Sequence, residues 1–442
     1  MAIHSIKRLI PQQHPLRLQW HRSKALLAAL RYGFPAKKLT VIGITGTDGK
    51  TTTVGMTAHI LHENGIKVGA LSTAFFRIKE HVEWNATQKT SPSPFIIQKF
   101  LRRLINEGCT HAVLEYSSHG LIQGRMLYTW PSIGGITNIS EEHLDYHGSM
   151  EEYIRAKGLL FSMLKKKDAT KVLNADDRTY ETYHNIPTDW TIAYSSKKSF
   201  GPPPSNHECA LWIQDTKSDA SGSRAVLRCN AEENLNPLAL SIPGAFNMEN
   251  ALCAIGCAHV CGINVNNCTK ALLSFTGIPG RMERIDAGQP FHVFIDFTVT
   301  PQSYEKTLST LKAGLPADKR LLVLMGSCGD RMKEKRPVIG KIASGYADIL
   351  VVTNEDPYTE DPEKIIDEVW AGIDQVATQA HRIFDRRQAI EFLIKQAKPG
   401  DIVILCGKGS DTTMWVKDGQ IPWNERAIAI EVLETSSHSR VG

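Results

Sequence analysis

The sequence predicts an α/β protein with mostly parallel sheets covered by helices, and two observations carry that prediction. Short apolar runs that read as buried strands alternate with segments of helical periodicity along almost the whole chain. The first such run, residues 39–44, passes through a glycine-rich turn into a helix, the order that a phosphate-binding strand–loop–helix unit requires. The composition fits: 42% of the 442 residues are hydrophobic and 22% charged, which excludes disordered, collagen-like and disulfide-scaffold chains. At about 150 residues per domain the length predicts roughly three domains.

Taken in order, the Leu/Ala periodicity of residues 16–32 predicts a helix that Gly33 and Pro35 end. Strands are predicted at 111–115, 134–138, 171–174, 293–296, 320–325, 349–353 and 402–406. Helices are predicted at 54–64, 94–107, 150–164, 248–261, 302–313, 362–372 and 386–396. The Pro-, Ser- and Asp-rich stretch 200–224 reads as loops around a short strand, and 276–281 as the domain boundary. This gives a basic N-terminal extension over 1–39, a central domain of the phosphate-loop type over 40–279 and a C-terminal, Rossmann-like domain over 280–442.

Charge is uneven. Residues 1–39 hold eight Lys/Arg and no Asp or Glu, so the rest of the chain nets −3 against a total of +5. A near-neutral body with one basic arm is not expected to bind nucleic acid. No run of 18 apolar residues is present, so no transmembrane segment is expected. Nine cysteines without a signal peptide suggest a reducing, cytoplasmic setting. Cys253, Cys257 and Cys261, spaced by four near His259, read as small apolar residues of a helix rather than a zinc site, which would need two short Cys pairs.

Three clusters carry chemistry. In Gly46-Thr47-Asp48-Gly49-Lys50-Thr51-Thr52, backbone N–H groups and a helix N-terminus would hold phosphate oxygens; Lys50 would neutralise phosphate charge and Thr51 would ligate Mg²⁺. Ile44 stands where the strict phosphate-loop pattern has its first glycine. Glu115 ends a strand, where α/β ligand sites lie, and could ligate Mg²⁺; Ser117, Gln123 and Arg125 follow and could hold an anionic or polyhydroxyl substrate, or form an ordinary polar loop. In the third cluster His143 could ligate a metal, and Lys157 sits among apolar helix neighbours. A buried lysine loses its charge and becomes open to covalent modification, whereas a solvated one does not.

On these residues the chain resembles the Mur ligase family, ATP-dependent amide-forming enzymes of peptidoglycan assembly. It is most similar to the branch that adds the third residue to a muramoyl dipeptide. The shared stretches are GITGTDGKTTT (43–53), LEYSSHGLIQGRM (114–126), TNISEEHLDYHGSMEEYIRAKGLLF (137–161), IPGAFNMENALCAIG (242–256), GIPGRMERID (277–286), GSCGDRMKEKRP (326–337) and CGKG (406–409). The resemblance implies ATP and two Mg²⁺ ions, with Thr51, Glu115, His143 and a carbamylated Lys157 around the metals. It implies adenine contact by Asn250, ribose contact by Asp296 and phosphate contact by Arg281. Thr90, Ser91, Ser117, Gln123 and Arg125 would contact the muramoyl peptide, and Asp356, Tyr358, Gly407 and Asp411 the incoming amino acid. Lys50, Lys157, His143 and Glu115 would be the catalytic set. The implied reaction turns a carboxylate into an acyl phosphate, which the amine of an amino acid then attacks, with two domains closing around the reactants.

Four departures from the family pattern carry expectations. About 45 residues precede the phosphate loop, so the separate UDP-binding domain is expected to be absent, with a partner protein or a differently linked muramoyl peptide in its stead. Val299 stands where the family has a histidine, and Asp48 where it has asparagine. Where diaminopimelate-adding members carry an arginine, this chain has Tyr358; with Glu355, Asp356, Glu360, Asp361 and Asp411 nearby, lysine or ornithine is expected as the amino acid. The competing readings are a folylpolyglutamate-synthase-like ligase and a nucleotide-binding scaffold without catalysis.

Overall fold

The computed structural model describes residues 14–87, 89–165, 167–201 and 208–438. Lys7 and Arg8 of the basic arm lie outside them. The chain divides into two compact units: Met1–Thr216, Ala225–Ala239 and Met248–Phe275 form the first, and Lys217–Arg224, Leu240–Asn247 and Thr276–Gly442 the second. The change of unit at Thr276 falls within the turn expected from sequence. Residues 14–39 belong to the first unit, and two short segments before 276 belong to the second.

The larger sheet has eleven strands in the order β11-β10-β9-β8-β7-β6-β1-β5-β2-β3-β4. These are β1 (Thr40–Thr45), β2 (Val68–Leu71), β3 (Phe75–Ile78), β4 (His81–Trp84), β5 (His111–Glu115), β6 (Ile133–Ile136), β7 (Thr170–Asn174), β8 (Trp190–Ser195), β9 (Glu208–Asp219), β10 (Gly222–Cys229) and β11 (Glu232–Leu240). From β9 to β2 each neighbouring pair whose register is resolved is parallel, while β3 and β4 add an antiparallel edge. The 200–224 stretch departs from expectation. Its described part is a twelve-residue strand followed by a two-residue turn into β10, not loops around a short strand. β9 is buried in its first half and exposed in its second, where Asp215, Thr216, Lys217 and Ser218 give it a composition that reads as loop.

The sheet's centre positions the site. β1 lies between β5 and β6, with Ile44 opposite Glu115 and Thr45 opposite Ile136. The carboxyl ends of all three strands therefore open on one crevice, where ligands of α/β sheets bind. Helices α1 (Pro15–Arg31), α2 (Lys50–Glu63), α3 (Pro94–Asn106), α4 (Ser118–Ile122), α5 (Leu144–His147), α6 (Met150–Ser162), α7 (Tyr180–His184), α8 (Ala245–Val260) and α9 (Val265–Leu272) complete the series. Ser93, Ser117 and Ser149 cap α3, α4 and α6 through their hydroxyls. Cys253 and Cys257 are fully buried on α8, in the packing role expected of them.

The second unit holds a six-stranded sheet, β12-β13-β17-β14-β15-β16. Its strands are β12 (Glu283–Ile285), β13 (His292–Asp296), β14 (Leu321–Met325), β15 (Ile349–Val352), β16 (Gln379–Arg382) and β17 (Ile402–Cys406); β18 (Thr413–Val416) and β19 (Gly419–Pro422) form a separate hairpin. Only β12 pairs antiparallel in the six-stranded sheet. Side chains alternate between two cores: Phe294, Val323, Leu350 and Ile404 on one face, Val293, Leu322, Val351 and Val403 on the other. Burial on both faces is why these strands read as unbroken apolar runs. α10 (Pro301–Ala313), α11 (Lys335–Tyr346), α12 (Pro362–Trp370), α13 (Arg386–Gln396) and α14 (Glu425–His438) accompany them.

Candidate active site

In the first unit the phosphate loop is held rigid before any ligand is considered. Gly46 (φ 140°) and Gly49 (φ 81°) both lie at positive φ. A Cβ on Gly46 would stand 1.9 Å from Thr137 Oγ1, and one on Gly49 2.1 Å from Asn250 Oδ1, so both positions demand glycine for conformation and for space. The loop is strapped to the end of β6. Thr47 N–H donates to the Asn138 carbonyl (2.8 Å), Asp48 N–H to Asn138 Oδ1 (3.1 Å), and Thr137 Oγ1 to the Asp48 carbonyl (2.6 Å). Thr47 Oγ1 also lies 3.1 Å from the Tyr153 hydroxyl. Thr52 is buried in the first turn of α2, and Lys50 Nζ folds back on the Thr47 carbonyl (2.6 Å).

Thr51 and Glu115 come together as the sequence suggested: Thr51 Oγ1 donates to Glu115 Oε2 at 3.0 Å. Glu115 is almost fully buried, and Thr73 closes its other side with N–H to Oε2 (2.8 Å) and hydroxyl to Oε1 (3.0 Å). Thr90 Oγ1 lies 2.8 Å from Thr73 Oγ1. Ser91 Oγ reaches the Glu115 carbonyl (3.4 Å) and receives the Ser117 N–H (3.1 Å), and its own carbonyl accepts from Arg125 Nη1. Gln123 donates to the Tyr146 hydroxyl (3.2 Å). The polar loop after β5 is thus one connected network at the crevice.

His143 sits at φ 56°, an uncommon conformation for a residue with a Cβ. It forms an aromatic cluster with His119, whose ring is 4.7 Å away; Tyr146 lies 4.0 Å from His119, and His147 donates to or accepts from Ser118 Oγ at 2.9 Å. Burial, then the positive charges of Lys157 and Lys50, push His143 down to about 3; burial, then the neighbouring histidines, push His119 to about 3; burial and Lys157 push His147 to about 4. These imidazoles are neutral at pH 7.

Lys157 is buried on α6 rather than solvated. Its Nζ donates to the Gly46 carbonyl at 2.5 Å and lies 4.5 Å above the Tyr153 ring. Burial first and Lys50 second lower its pKa well below the ordinary value, against the pull of Glu142, Asp48 and Glu115. Asn250, on α8, presses its amide on Gly49 and accepts from Thr53 Oγ1 (3.4 Å), so here it supports the phosphate loop.

The second unit collects the remaining candidates. Asp296 ends β13, where its carboxylate accepts the Met282 N–H (2.7 Å) and the Thr298 hydroxyl, and its carbonyl accepts the Gly407 N–H (3.1 Å). The Arg281 guanidinium lies 4.4 Å over the Phe297 ring. Val299 uses its backbone alone, donating to Ser303 Oγ (3.2 Å) and accepting from Lys335 Nζ (3.0 Å).

Around Asp356 the acidic neighbourhood expected from sequence takes a different form. Lys408, fully buried, donates to both Asp356 oxygens at 2.8 Å and to Asp411 at 3.2 Å. Burial opposes its charge, but Asp411 and Asp356 outweigh that and raise its pKa. Glu360 is taken by Lys333 (2.9 Å) and Arg336 (3.1 Å), and Asp361 caps α12. Burial pushes Glu355 up to about 7. The carboxylates counted toward a cationic amino acid are therefore partnered or partly protonated, and the expectation of lysine or ornithine loses its electrostatic basis. Tyr358 (φ 51°) stacks on Trp415 at 5.5 Å, and the Arg331 guanidinium lies 5.4 Å over the Tyr358 ring.

Sequence reasoning missed Thr73, Asn138, Tyr153, Arg331 and Lys408. Asn138, Tyr153, Arg331 and Lys408 all stand inside the quoted shared stretches, which was the available signal; Thr73 stands outside them.

Among the described residues, no three His, Cys, Asp or Glu side chains form a group able to hold a metal by themselves. The Thr51–Glu115 pair still fits Mg²⁺, an ion bound by one or two carboxylates together with substrate phosphates and water.

Comparison with known proteins follows the same division of the chain. Residues 44–258 match the family described as Mur ligase middle domain, and 280–409 the one described as Mur ligase, glutamate ligase domain. The UDP-N-acetylmuramyl-tripeptide synthetase of Roseiflexus sp. (strain RS-1) is 34% identical over 92% of this chain and 81% of its own length. A solved UDP-N-acetylmuramoyl-L-alanyl-D-glutamate--2,6-diaminopimelate ligase is 27% identical with a TM-score of 0.64, covering 96% of this chain and 83% of that one. The Mycobacterium tuberculosis folylpolyglutamate synthase, solved with ADP and AMPPCP, shares the fold (TM-score 0.68, 87% of this chain and 92% of that one) at 16% identity.

Proposed function

The chain belongs to the Mur ligase family, ATP-dependent acid–amino-acid ligases of peptidoglycan precursor synthesis, and from that premise we propose that it adds the third residue of a muramoyl peptide. The observation that carries the finer reading is the connected acceptor network: Glu115, Ser91, Ser117 and Arg125 at the crevice beside the phosphate loop. An arginine and a group of hydroxyls suit a substrate rich in carboxylates and sugar hydroxyls.

The chain's own groups divide the work. Loop N–H groups and the start of α2 bind phosphate oxygens, and Lys50 swings from the Thr47 carbonyl to neutralise them. Bound at Thr51 and Glu115, Mg²⁺ would screen the repulsion between carboxylate and phosphate. Thr73 fixes the Glu115 carboxylate, its N–H meeting Thr51 on Oε2 and its hydroxyl holding Oε1. The neutral form of Lys157, favoured by burial and Lys50, is the one that adds CO₂ and releases a proton to become a carbamate. The buried Asp356–Lys408–Asp411 group, its ammonium spent on its own carboxylates, would fix the segments after β15 and β17 in place for the incoming amino acid.

For the third residue, Arg331 beside Tyr358 supports an amino acid with a distal carboxylate, in place of lysine or ornithine. The test incubates the purified chain with ATP, Mg²⁺, bicarbonate and panels of muramoyl dipeptides, folates and amino acids, followed by mass spectrometry. A tripeptide product with diaminopimelate, whose KM rises at least about tenfold in Arg331→Ala, is expected from the loss of a charged hydrogen bond. A folate product, a lysine or ornithine product indifferent to Arg331, or no amide with any acceptor would overturn the reading.

A further inference from the structure

The amino-terminal helix carries a surface that the ligase reading leaves unused. One face of α1 is built into the fold: Ala25, Ala28 and Ala29 are fully buried, and Arg102 takes the carbonyls that follow the helix, Tyr32 (2.9 Å) and Gly33 (3.2 Å). The opposite face is apolar and open. Leu16, Trp20, Leu26, Leu27 and Leu30 are between 39% and 70% exposed. Leu16, Trp20, Ser23, Leu27 and Leu30 step by four, three, four and three residues, so they form one straight stripe along the helix, with Leu26 beside it.

Cations border that stripe. Arg17, Lys24 and Arg31, spaced by seven, run along one edge, and Arg22 lies on the other beyond Leu26. The helix has no acidic residue, and none occurs anywhere in residues 1–39. Lys24 also lies 5.0 Å over the Trp20 ring, at the border between stripe and charge.

We propose that α1 is a docking helix for an anionic membrane surface. It lies in the interface with the Leu/Trp stripe at the acyl boundary and the Arg/Lys rows among lipid phosphates. Tryptophan at the rim of such a stripe suits the headgroup level. The charge pattern selects this occupant over a second copy of the chain. Two α1 helices paired through their stripes would set cation rows against cation rows, with no acid on either to answer them. The proposal stands apart from the identity of the ligated residue.

The test uses the full chain in co-sedimentation with phosphatidylcholine vesicles, with and without about 30% phosphatidylglycerol. Binding is expected to the anionic vesicles, at least about tenfold over the neutral ones, and to weaken as salt screens the cations. Leu27→Glu with Leu30→Glu should lower it at least about tenfold by removing the buried apolar signal. Lys24→Glu with Arg31→Glu should remove the anionic preference. Leu27, Leu30 and Arg31 are exposed, Lys24 is half-buried, and all four are outside the ligase machinery, so circular dichroism and product formation with soluble substrates should match the parent. Equal binding to both vesicle types, no binding to either, or unchanged binding by the stripe variant would overturn the proposal. So would a dimer in light scattering that the stripe variant abolishes without any vesicle binding, which would assign the face to a second copy.

Discussion

Lys157 reaches the Gly46 carbonyl from a fully buried position on α6, with Tyr153 beneath it and Lys50 the nearest opposing cation. A charged ammonium is disfavoured there by desolvation and by Lys50, so the side chain is available as a nucleophilic amine. Lys157→Ala should reduce amide formation at least about a hundredfold, with partial rescue by formate or acetate if an anion at that place is what catalysis uses. A variant with parental rate would remove Lys157 from the site. The three histidines give a second residue-scale prediction. His143 and His119 at about 3 and His147 at about 4 bind protons less readily folded than unfolded, where the value is near 6.5. Below pH 6.5 the unfolded chain therefore holds more protons, and stability falls with pH from there toward the folded values. Since His143 keeps an exposed edge, the loss between pH 7 and 5 should be about 1 kcal/mol, read as a lower urea midpoint that His119→Gln partly removes. Much of this site was legible because the groups stand beside one another in sequence, at the ends of strands. Thr73 was not, because its partner Glu115 is 42 residues away and threonine alone signals nothing; Lys408 and Asp356, 52 residues apart, likewise meet only in space.

At the scale of elements, the helices and strands that the sequence revealed are those with one dominant force. β13, β14, β15 and β17 are covered on both faces and appear as apolar runs, and α10 is announced by Thr300, Pro301 and its capping box with Ser303. β9 was obscured by the Asp, Thr, Lys and Ser of its exposed half, and β3 and β4, four residues each, are too short to show a period. α14 was also missed; Ala429, Val432 and Leu433 pack it into the core, and a buried ion pair ties its start to α13. Arg386, at the start of α13, donates through Nε and Nη2 to Glu425, at the start of α14, at 2.6–3.2 Å, and gives Nη2 to the Cys406 carbonyl at 2.7 Å. Neither side chain is exposed. Removing one partner strands the other's charge in the core. Glu425→Ala should then cost about 3–5 kcal/mol, and Arg386→Met with Glu425→Leu should recover much of it. Denaturation of the three variants measures this; a single variant as stable as the parent would show that water reaches the pair.

At the scale of the molecule, the candidate residues divide by unit in the same way as the chemistry divides by step. Lys50, Thr51, Glu115 and Lys157 belong to the first unit, and Asp356, Lys408 and Asp411 to the second. Activation of the carboxylate needs phosphate binding and charge screening, which the first set would supply. Attack by the amine needs an amino acid held in place, and the buried Asp356–Lys408–Asp411 group would fix the segments that hold it. Loss of the first set should therefore stop both steps, while loss of the second should stop only the last. With ATP, Mg²⁺ and the muramoyl dipeptide, Lys50→Ala should form no acyl phosphate, and hydroxylamine should trap no hydroxamate. Lys408→Met, which keeps the length of the side chain but leaves Asp356 and Asp411 without their cation, should still yield hydroxamate within about threefold of the parent while tripeptide falls at least about a hundredfold, since only the second barrier loses its interactions. Because that substitution also exposes two buried carboxylates to mutual repulsion, its melting temperature must be measured beside the trap. A folded Lys408→Met protein that loses hydroxamate and tripeptide equally would show that the second unit takes part in activation, and the division by step would fail.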